Sequence, residues 1–228
     1  MRGQPVLEVS GLTYEAGERH LLKGVDLIVA AGRAVAVMGP SGSGKSTLLS
    51  LLLGLLRPRS GEIRLAGRDL ARLRDGELAA VRREAIGMVF QSGELLPELT
   101  PVENVALAAL LAGVSPAAAY REASSLLEEL WVDPDAAPTS ELSCGERQRL
   151  AVARALTGSP VLLLVDDPTG ALDGATRDRV ADLLFAASAR RGCAMVVATH
   201  DPSVAVRADR VVELRSGRLV ELAHGGVR

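Results

Sequence analysis

The feature of this 228-residue chain that most constrains its fold is a glycine-rich segment between an apolar run and a helical pattern. The run at 34–38 reads AVAVM, which is typical of a strand buried on both faces. A helical pattern begins at Leu48. The residues between them match the phosphate-binding pattern GxxxxGK(S/T), followed by threonine: Gly39, Pro40, Ser41, Gly42, Ser43, Gly44, Lys45, Ser46 and Thr47. The sequence therefore predicts a strand, a loop and a helix in that order.

This arrangement suits the binding of phosphate groups. Successive backbone N–H groups ahead of a helix N-terminus form an anion cradle, and glycines let the backbone approach the phosphates closely. Lys45 adds a positive point charge, and the hydroxyl of Ser46 can bind Mg²⁺. The alternative is a glycine-rich turn beside a buried strand, which the complete pattern in this context disfavours.

A second apolar strand is predicted at 161–165, and two carboxylates, Asp166 and Asp167, follow it. Ligands of open α/β sheets bind at the carboxyl ends of the strands. Asp166 is the candidate partner of Mg²⁺, and Asp167 is the candidate residue that orients or deprotonates an attacking water. Taken alone, the pair equally suits the capping of a strand before Pro168, so the functional interpretation depends on the phosphate-binding pattern.

Composition excludes several other classes of protein. Apolar residues make up 48% of the chain and charged residues 24%, a balance that allows a buried core. A net charge of −2 and five scattered aromatic residues do not suggest a nucleic-acid surface, so no nucleic-acid partner is expected. The leucine-rich stretch at 48–56 is about half the ~20 residues that span a bilayer. With no apolar leader and no paired cysteine spacing, a soluble cytoplasmic chain is expected.

The order of the predicted elements indicates an α/β fold. Short strands at 6–9 and 21–29, separated by a turn at 15–18, predict an antiparallel start. Later strands are predicted at 63–66, 86–90, 161–165 and 194–198, with a closing hairpin at 211–214 and 219–222. The helical pattern at 174–191 separates two of these strands, which is the rhythm of a mainly parallel sheet.

A helical insertion is predicted at 91–158, where the sequence becomes rich in Ala, Leu and Glu. Pro101, Pro116 and Ser143 each stand where a helix can begin. Ser143 and Glu146, three residues later, form a capping box ahead of a strongly helical run.

The residues around this capping box, LSCGERQ at 142–148, resemble the signature motif of ATP-binding-cassette (ABC) ATPases. The motif precedes the second apolar strand, at 161–165, which the two carboxylates follow, as that family requires. The resemblance implies that ATP is the ligand and that Ser143, Gly145 and Glu146 face the γ-phosphate of an ATP held by the other subunit of a dimer.

The resemblance extends over nearly the whole chain and implies its architecture. The expected fold is the RecA-like core of a P-loop NTPase, in a single ABC ATPase domain over residues 1–228. The implied parts are an antiparallel β subdomain at 1–30 and 60–70, a RecA-like core at 31–59, 71–91 and 159–228, and an inserted α-helical signature subdomain at 92–158.

The resemblance also assigns roles to single residues. Tyr14 matches the aromatic residue that stacks on adenine, although a strand residue with a partly buried ring is the alternative. Gln91 matches the glutamine that senses Mg²⁺ and the attacking water, and His200 matches the histidine that contacts the γ-phosphate. The expected catalytic residues are Asp167, His200 and Gln91. The expected Mg²⁺ ligands are Ser46, Gln91 and Asp166.

Two residues depart from the family pattern. Asp167 stands where the family usually has glutamate, so its carboxylate is one methylene shorter and hydrolysis is expected to be slow unless the loop compensates. Cys144 stands where the signature usually has its first glycine, which adds a side chain beside the helix end. Both sites of a two-fold homodimer would carry both departures.

The resemblance implies the ATP-binding and ATP-hydrolysing subunit of a membrane transporter. Two copies would form a head-to-tail homodimer around two ATP, with the segment 171–173 crossing the interface. The dimer would drive separately encoded permease subunits at the cytoplasmic face of the inner membrane. Further residues at 90–105 and 168–173 resemble the subfamily of macrolide export, lipoprotein export and cell-division ATPases, in which the permease docks near Gln91–Val105.

Two alternatives stay open at this point. One is a regulatory or mechanical ATPase with slow turnover that signals to a membrane partner without moving a substrate, and Asp167 favours it. The other is a soluble ABC ATPase of DNA maintenance or translation, which the absence of a basic bias disfavours.

Overall fold

The computed structural model describes residues 5–17, 19–136, 138–170 and 172–222. Within these ranges the strands are β1 Pro5–Ala16, β2 Arg19–Ala30, β3 Ala34–Met38, β4 Ser60–Leu65, β5 Arg68–Asp69, β6 Ile86–Val89, β7 Leu162–Asp166, β8 Ala194–Ala198, β9 Arg210–Arg215 and β10 Arg218–Glu221. The α-helices are α1 Lys45–Leu52, α2 Asp75–Ala85, α3 Pro101–Leu111, α4 Pro116–Glu129, α5 Cys144–Leu156, α6 Gly174–Arg190 and α7 Pro202–Ala205. In this part of the chain, no helix is both long and apolar enough to cross a membrane.

The larger sheet has β3 near its centre, in the strand order β10-β9-β3-β8-β7-β6. Its strands run parallel except for β10, which forms an antiparallel hairpin with β9. Alternate residues of the central strands enter two separate cores. Ala36 packs in the core that contains α5, and Val37 packs in the core that contains α1. Burial on both faces explains the continuous apolar runs, and the predicted α/β fold is confirmed.

The smaller sheet is antiparallel, in the order β2-β1-β4-β5. Its inner face carries Leu7, Val9 and Leu22, which are buried in the same core as α1. This confirms the predicted antiparallel start. Glu18, in the predicted turn between the first two strands, lies outside the described residues.

Several strand ends differ from the predicted ones. β1 continues to Ala16, beyond the predicted end at Val9, because Gly11 takes a φ of +59° at an irregularity that lets pairing with β2 resume. β4 ends at Leu65, whereas the predicted last residue, Ala66, turns with a φ of +46°. The strand ends depend on bulges, turns and backbone pairing, which a pattern of apolar residues does not predict.

The helices inserted between β6 and β7 begin where the sequence predicts. Thr100 precedes α3 and Ser143 precedes α5, and each makes a reciprocal capping box with the glutamate three residues later. Pro101 and Pro116 occupy the first turns of α3 and α4, where no intrahelical N–H bond is lost. The apolar faces of these helices join the core on one side of the larger sheet.

One carboxylate joins the inserted helices to the rest of the chain. Glu129, the last residue of α4, accepts hydrogen bonds from Arg191, at 2.9 Å, and from Arg190, at 2.6 Å. These guanidinium groups, with Arg191 contributing most, lower the pKa of Glu129 to about 2. The ionised carboxylate therefore stabilises the contact between α4 and the end of α6.

Glu129→Gln tests this contact through the pH dependence of stability. Because the folded pKa of Glu129 lies below the unfolded value of about 4.5, its stabilising effect is complete above that value and is lost as the pH falls toward 2. The variant should be less stable than the wild type at neutral pH, and the difference should shrink over this acid range. Urea unfolding at a series of pH values measures it.

The control for this measurement is Glu128→Gln, which changes the neighbouring exposed carboxylate. It should alter the free energy of unfolding little at any pH. A Glu129→Gln effect that stays constant from neutral pH to pH 2 would contradict the ionic origin of the contact.

Candidate nucleotide site

Ten of the predicted site residues border one cavity of about 470 Å³ at the carboxyl-terminal edge of the larger sheet. The cavity is lined by Leu21, Ser41, Gly42, Gly44, Lys45, Ser46, Thr47, Gln91, Asp166, Asp167 and His200. The loop after β3 and the residues that follow β6, β7 and β8 meet here, because neighbouring parallel strands end at the same edge.

The glycine-rich loop is folded tightly around a polar interior. Gly39 has a φ of +149°, and a Cβ there would lie 2.9 Å from the carbonyl oxygen of Leu214 and 2.9 Å from Ser43 Oγ. The hydroxyl of Ser43 is buried and has no hydrogen-bond partner among the described residues. A buried polar group without a partner destabilises the fold by about 1–3 kcal/mol. An oxygen-rich anion bound inside the loop would accept a hydrogen bond from this hydroxyl and remove that cost.

The helix α1 presents its N-terminus to the cavity. Its N-cap residue, Gly44, has no side chain that could accept from the first N–H groups, and the first turn carries no acidic residue. These N–H groups and the positive end of the helix dipole are available to an anion. Lys45 Nζ donates to the carbonyl oxygens of Gly39, at 2.7 Å, and Pro40, at 3.1 Å. Lys45 thus binds to the start of the loop, and it also borders the cavity.

The two predicted carboxylates stand at the end of β7. Asp166 is its last residue, and Asp167 follows with a left-handed φ of +41°. The N–H of Asp167 donates to Ala198 O at 2.8 Å, which extends the pairing of β7 with β8. Aspartate tolerates this backbone conformation better than most residues. The hydroxyl of Thr199 donates to Oδ1 at 3.4 Å, and the side chain of Asp167 is largely buried.

The three residues predicted to be catalytic meet at Oδ2 of Asp167. His200 Nδ1 lies 3.1 Å from this oxygen, and Gln91 Nε2 donates to it at 3.4 Å. Gly170 packs against the same carboxylate, because a Cβ at this position would lie 2.6 Å from Asp167 Oδ2 and 3.3 Å from Gln91 Nε2. The carboxylate is therefore confined by its neighbours at the edge of the cavity.

The residues present fit Mg²⁺ that arrives with a phosphate-bearing ligand. Ser46, Gln91 and Asp166 border the cavity with a hydroxyl, an amide and a carboxylate, whose oxygens are donors that Mg²⁺ accepts. Among the described residues, no group of three or more His, Cys, Asp or Glu side chains could hold a metal ion. Protein-bound Mg²⁺ commonly combines one or two carboxylates with waters and substrate phosphates, which matches this donor set.

The signature residues lie away from this cavity, at the N-terminus of α5. Ser143 Oγ accepts the N–H of Glu146 at 3.2 Å, and the Glu146 carboxylate accepts the N–H of Ser143 at 2.9 Å. Hydrogen bonds from Ser143 hold the pKa of Glu146 below its usual range. A Cβ on Gly145 would lie 2.6 Å from a methyl carbon of α6, so glycine lets the two helices approach closely. The exposed Cys144 accepts a hydrogen bond from Arg147 at 3.1 Å.

Tyr14 is not among the residues that line the cavity. It lies half-buried on β1 and packs against the core of the antiparallel sheet, so adenine stacking stays a prediction. From this sheet, Leu21 borders the cavity instead, and no sequence pattern singles it out. Thr199 and Gly170 are also outside the predicted set. Thr199 directly follows a predicted strand, which is the one signal that could have identified it.

Comparisons with known proteins identify the family. A family profile described as ABC transporter matches residues 22–170. The lipoprotein-releasing system ATP-binding protein LolD of Xanthomonas campestris pv. campestris (strain 8004) is 46% identical over 220 residues, 95% of this chain and 92% of that protein. The macrolide export ATP-binding/permease protein MacB 1/2 of Paracoccus denitrificans (strain Pd 1222) is 45% identical over 223 residues, 96% of this chain and 33% of that protein.

A solved structure has the same fold. The dimeric structure of a post-hydrolysis state of the ATP-binding cassette MJ0796, bound to ADP and Pi, matches with a TM-score of 0.85 at 35% identity, and the match covers 96% of this chain and 99% of that chain. The resemblance drawn from the phosphate-binding loop and the signature motif is thereby confirmed. The chain belongs to the ABC transporter family, and it is an ATP-binding domain of that family.

Proposed function

We propose that this chain is the ATP-binding and ATP-hydrolysing subunit of an export-type transporter. The observation that carries the proposal is the meeting of Lys45, Asp166 and the Gln91–Asp167–His200 group around one cavity. The relatives named for lipoprotein release and macrolide export support the transport function. The proposed unit is one ABC ATPase domain, with the subdomain boundaries that the sequence resemblance implies.

In the proposed reaction the protein supplies position and charge. Lys45 and the N–H groups at the start of α1 bind the β- and γ-phosphates. Asp167 orients or deprotonates the attacking water, while His200 and Gln91 hold its carboxylate and approach the γ-phosphate. Bound Mg²⁺ would neutralise charge on the phosphate oxygens.

The proposed assembly is a head-to-tail homodimer with two ATP between the subunits. Ser143, Gly145 and Glu146 do not line the cavity of their own chain, and the N-terminus of α5 suits a γ-phosphate held by the partner. The dimeric MJ0796 cassette with bound ADP and Pi supports this arrangement. In the segment expected at the interface, Ala171 lies outside the described residues and Asp173 caps α6.

We propose that the permease docks at a second cavity, of about 550 Å³, beside the segment Gln91–Val105. Phe90 and Leu111 line it with exposed apolar surface, and Arg83 and Arg154 add positive charge. A short amphipathic helix from a membrane partner suits such a groove. This contact would hold the domain at the cytoplasmic face of the inner membrane.

Co-expression with candidate permease subunits tests this function. The chain should co-purify with a permease from membranes, and the complex should hydrolyse ATP. Leu111→Glu should prevent the capture because it adds a charge to the groove. Val206→Glu is the matched control, because Val206 is a similarly exposed apolar residue elsewhere.

Two results would redirect the proposal. A chain that stays in the soluble fraction with every candidate permease would contradict the transporter function. A rate of ATP hydrolysis that no candidate substrate changes, but that the membrane partner alters, would identify the regulatory ATPase instead.

Asp167→Glu tests whether the short carboxylate limits hydrolysis. If the short carboxylate is limiting, the added methylene should raise turnover by about tenfold, measured as phosphate release. Unchanged or lower turnover would show that the confined, left-handed position favours aspartate. Asp166→Glu, one residue earlier, should instead lower turnover because it displaces a proposed Mg²⁺ ligand. If Asp167→Asn leaves turnover unchanged, Asp167 is not the catalytic carboxylate.

Gly170→Ala tests the confinement of the Asp167 carboxylate. The new Cβ would lie 2.6 Å from Oδ2, and the end of a side chain can move aside without unfolding the domain. We expect phosphate release to fall by about 10- to 100-fold, because small displacements of a catalytic group have effects of this size. ATP affinity, measured by fluorescent nucleotide binding, should stay within about threefold.

The control for this exchange is Gly76→Ala, in α2, where an added Cβ meets no atom within 4 Å. It should leave turnover at the wild-type value. Equal losses of ATP binding and hydrolysis in Gly170→Ala would show a general disruption of the site rather than a displaced carboxylate.

A further inference from the structure

The backbone of residues 93 and 94, just after Gln91, requires support from residues elsewhere in the chain. Gly93 and Glu94 are consecutive residues with left-handed φ values of +76° and +48°. This conformation is unfavourable for glutamate, and it persists only where surrounding contacts hold it. The turn is closed by the N–H of Gly93, which donates to Phe90 O at 3.0 Å.

Arg154, in the last turn of α5, supplies such a contact. Its Nη2 donates to Gly93 O at 2.6 Å, and its Nη1 donates to Glu94 O at 2.6 Å. Burial lowers the pKa of the guanidinium, with the nearby Glu94 carboxylate opposing that effect. A planar fork of donors can satisfy two adjacent carbonyl oxygens at once, which a lysine ammonium on a flexible stem does with less directional control.

The other end of the same segment has an independent anchor. The buried side chain of Asn104 accepts the N–H of Leu96 and donates to Leu96 O, both at 2.9 Å. It also donates to the hydroxyl of Thr139 at 2.9 Å. Loss of the Arg154 contacts would therefore release the part of the segment next to Gln91 while the part from residue 96 onward stays fixed.

The helix α5 connects this anchor to the signature residues. Ser143 caps its N-terminus, and Arg154 lies 11 residues later, which corresponds to about 16 Å along the helix axis. Gln91, two residues before Gly93, reaches Asp167 Oδ2 at 3.4 Å. The two carbonyl contacts thus join the helix that begins with the signature to the loop that carries the Gln91 amide.

We propose that Arg154 is a positioning residue that holds Gln91 against Asp167 and ties this placement to the signature helix. The inference rests on the proposed function, because it assumes that Gln91 acts in hydrolysis. Arg154 acts through the main chain of residues 93 and 94 and does not border the nucleotide cavity itself. A shift of α5 relative to the core would therefore move Gln91 as well.

Arg154→Lys tests the positioning in the nucleotide-free chain by residue-resolved hydrogen exchange. Lysine keeps the charge but not the fork, so the Gly93 amide, which donates to Phe90 O, should exchange about tenfold faster. The Leu96 amide and the amides of α5 should keep their wild-type rates, which would also show that the variant is folded. Unchanged exchange of the Gly93 amide would overturn the proposal.

The matched control is Arg57→Lys. Arg57 also donates to two main-chain carbonyls, those of Ala71 and Leu73, at a position away from the nucleotide cavity. In the Arg57→Lys variant, the exchange rate of the Gly93 amide and the rate of hydrolysis should equal those of the wild type. In contrast, Arg154→Lys should lower kcat by about tenfold with little change in KM for ATP, because positioning affects the reacting state more than binding.

A double-mutant cycle with Gln91→Ala separates this inference from the proposed function. If Arg154 acts through Gln91, adding Arg154→Lys to Gln91→Ala should cause no further loss of hydrolysis. Losses that multiply in the double variant would overturn the positioning role and leave the role of Gln91 intact. If Gln91→Ala alone hydrolyses ATP at the wild-type rate, the proposed role of Gln91 fails, and the inference fails with it.

Discussion

The nucleotide site depends on the parallel pairing of β3, β8, β7 and β6. Strands buried on both faces cannot leave their backbone groups unpaired, so the sheet imposes a fixed register in which Val37 is opposite Ala198. The strands therefore end at one edge, and whatever follows each of them arrives at the same place. Gln91, Asp167 and His200 are distant in sequence, yet they meet at one carboxylate oxygen because of this register.

The chain is closely packed where it leaves β7. Asp167 takes a left-handed conformation, its N–H continues the pairing with β8, and Gly170 leaves space for one carboxylate oxygen and little else. A short side chain suits this position because it can bond to nearby groups such as Thr199. A longer carboxylate would reach farther into the cavity but would lose part of this local fit. In the proposed reaction, the residue at 167 must both hold the carboxylate still and bring it close to the attacking water.

The parts of the site that follow from local chemistry could be predicted from the sequence, while the parts that depend on tertiary contacts could not. The phosphate-binding loop and the capping box at Ser143 are contiguous patterns with a direct physical reason, and the structure contains both. Leu21 borders the cavity beside residues that are distant in sequence, and Arg154 contacts a loop 60 residues away in sequence. The Tyr14 assignment is of a third kind, since it comes from family resemblance and the position of its ring depends on packing.

Arginine and lysine side chains make different kinds of contact in this chain. Of its 26 cationic residues all but Lys23 and Lys45 are arginine, and several guanidinium groups hold fixed partners, as Arg154 does with two carbonyl oxygens. Such a fork is preorganised for one geometry, which suits a permanent contact. In the proposed function, Lys45 instead exchanges its contacts with Gly39 O and Pro40 O for contacts with phosphate oxygens. A compact ammonium whose three donors rotate freely suits such an exchange better than a planar guanidinium fork, which is preorganised for one set of partners.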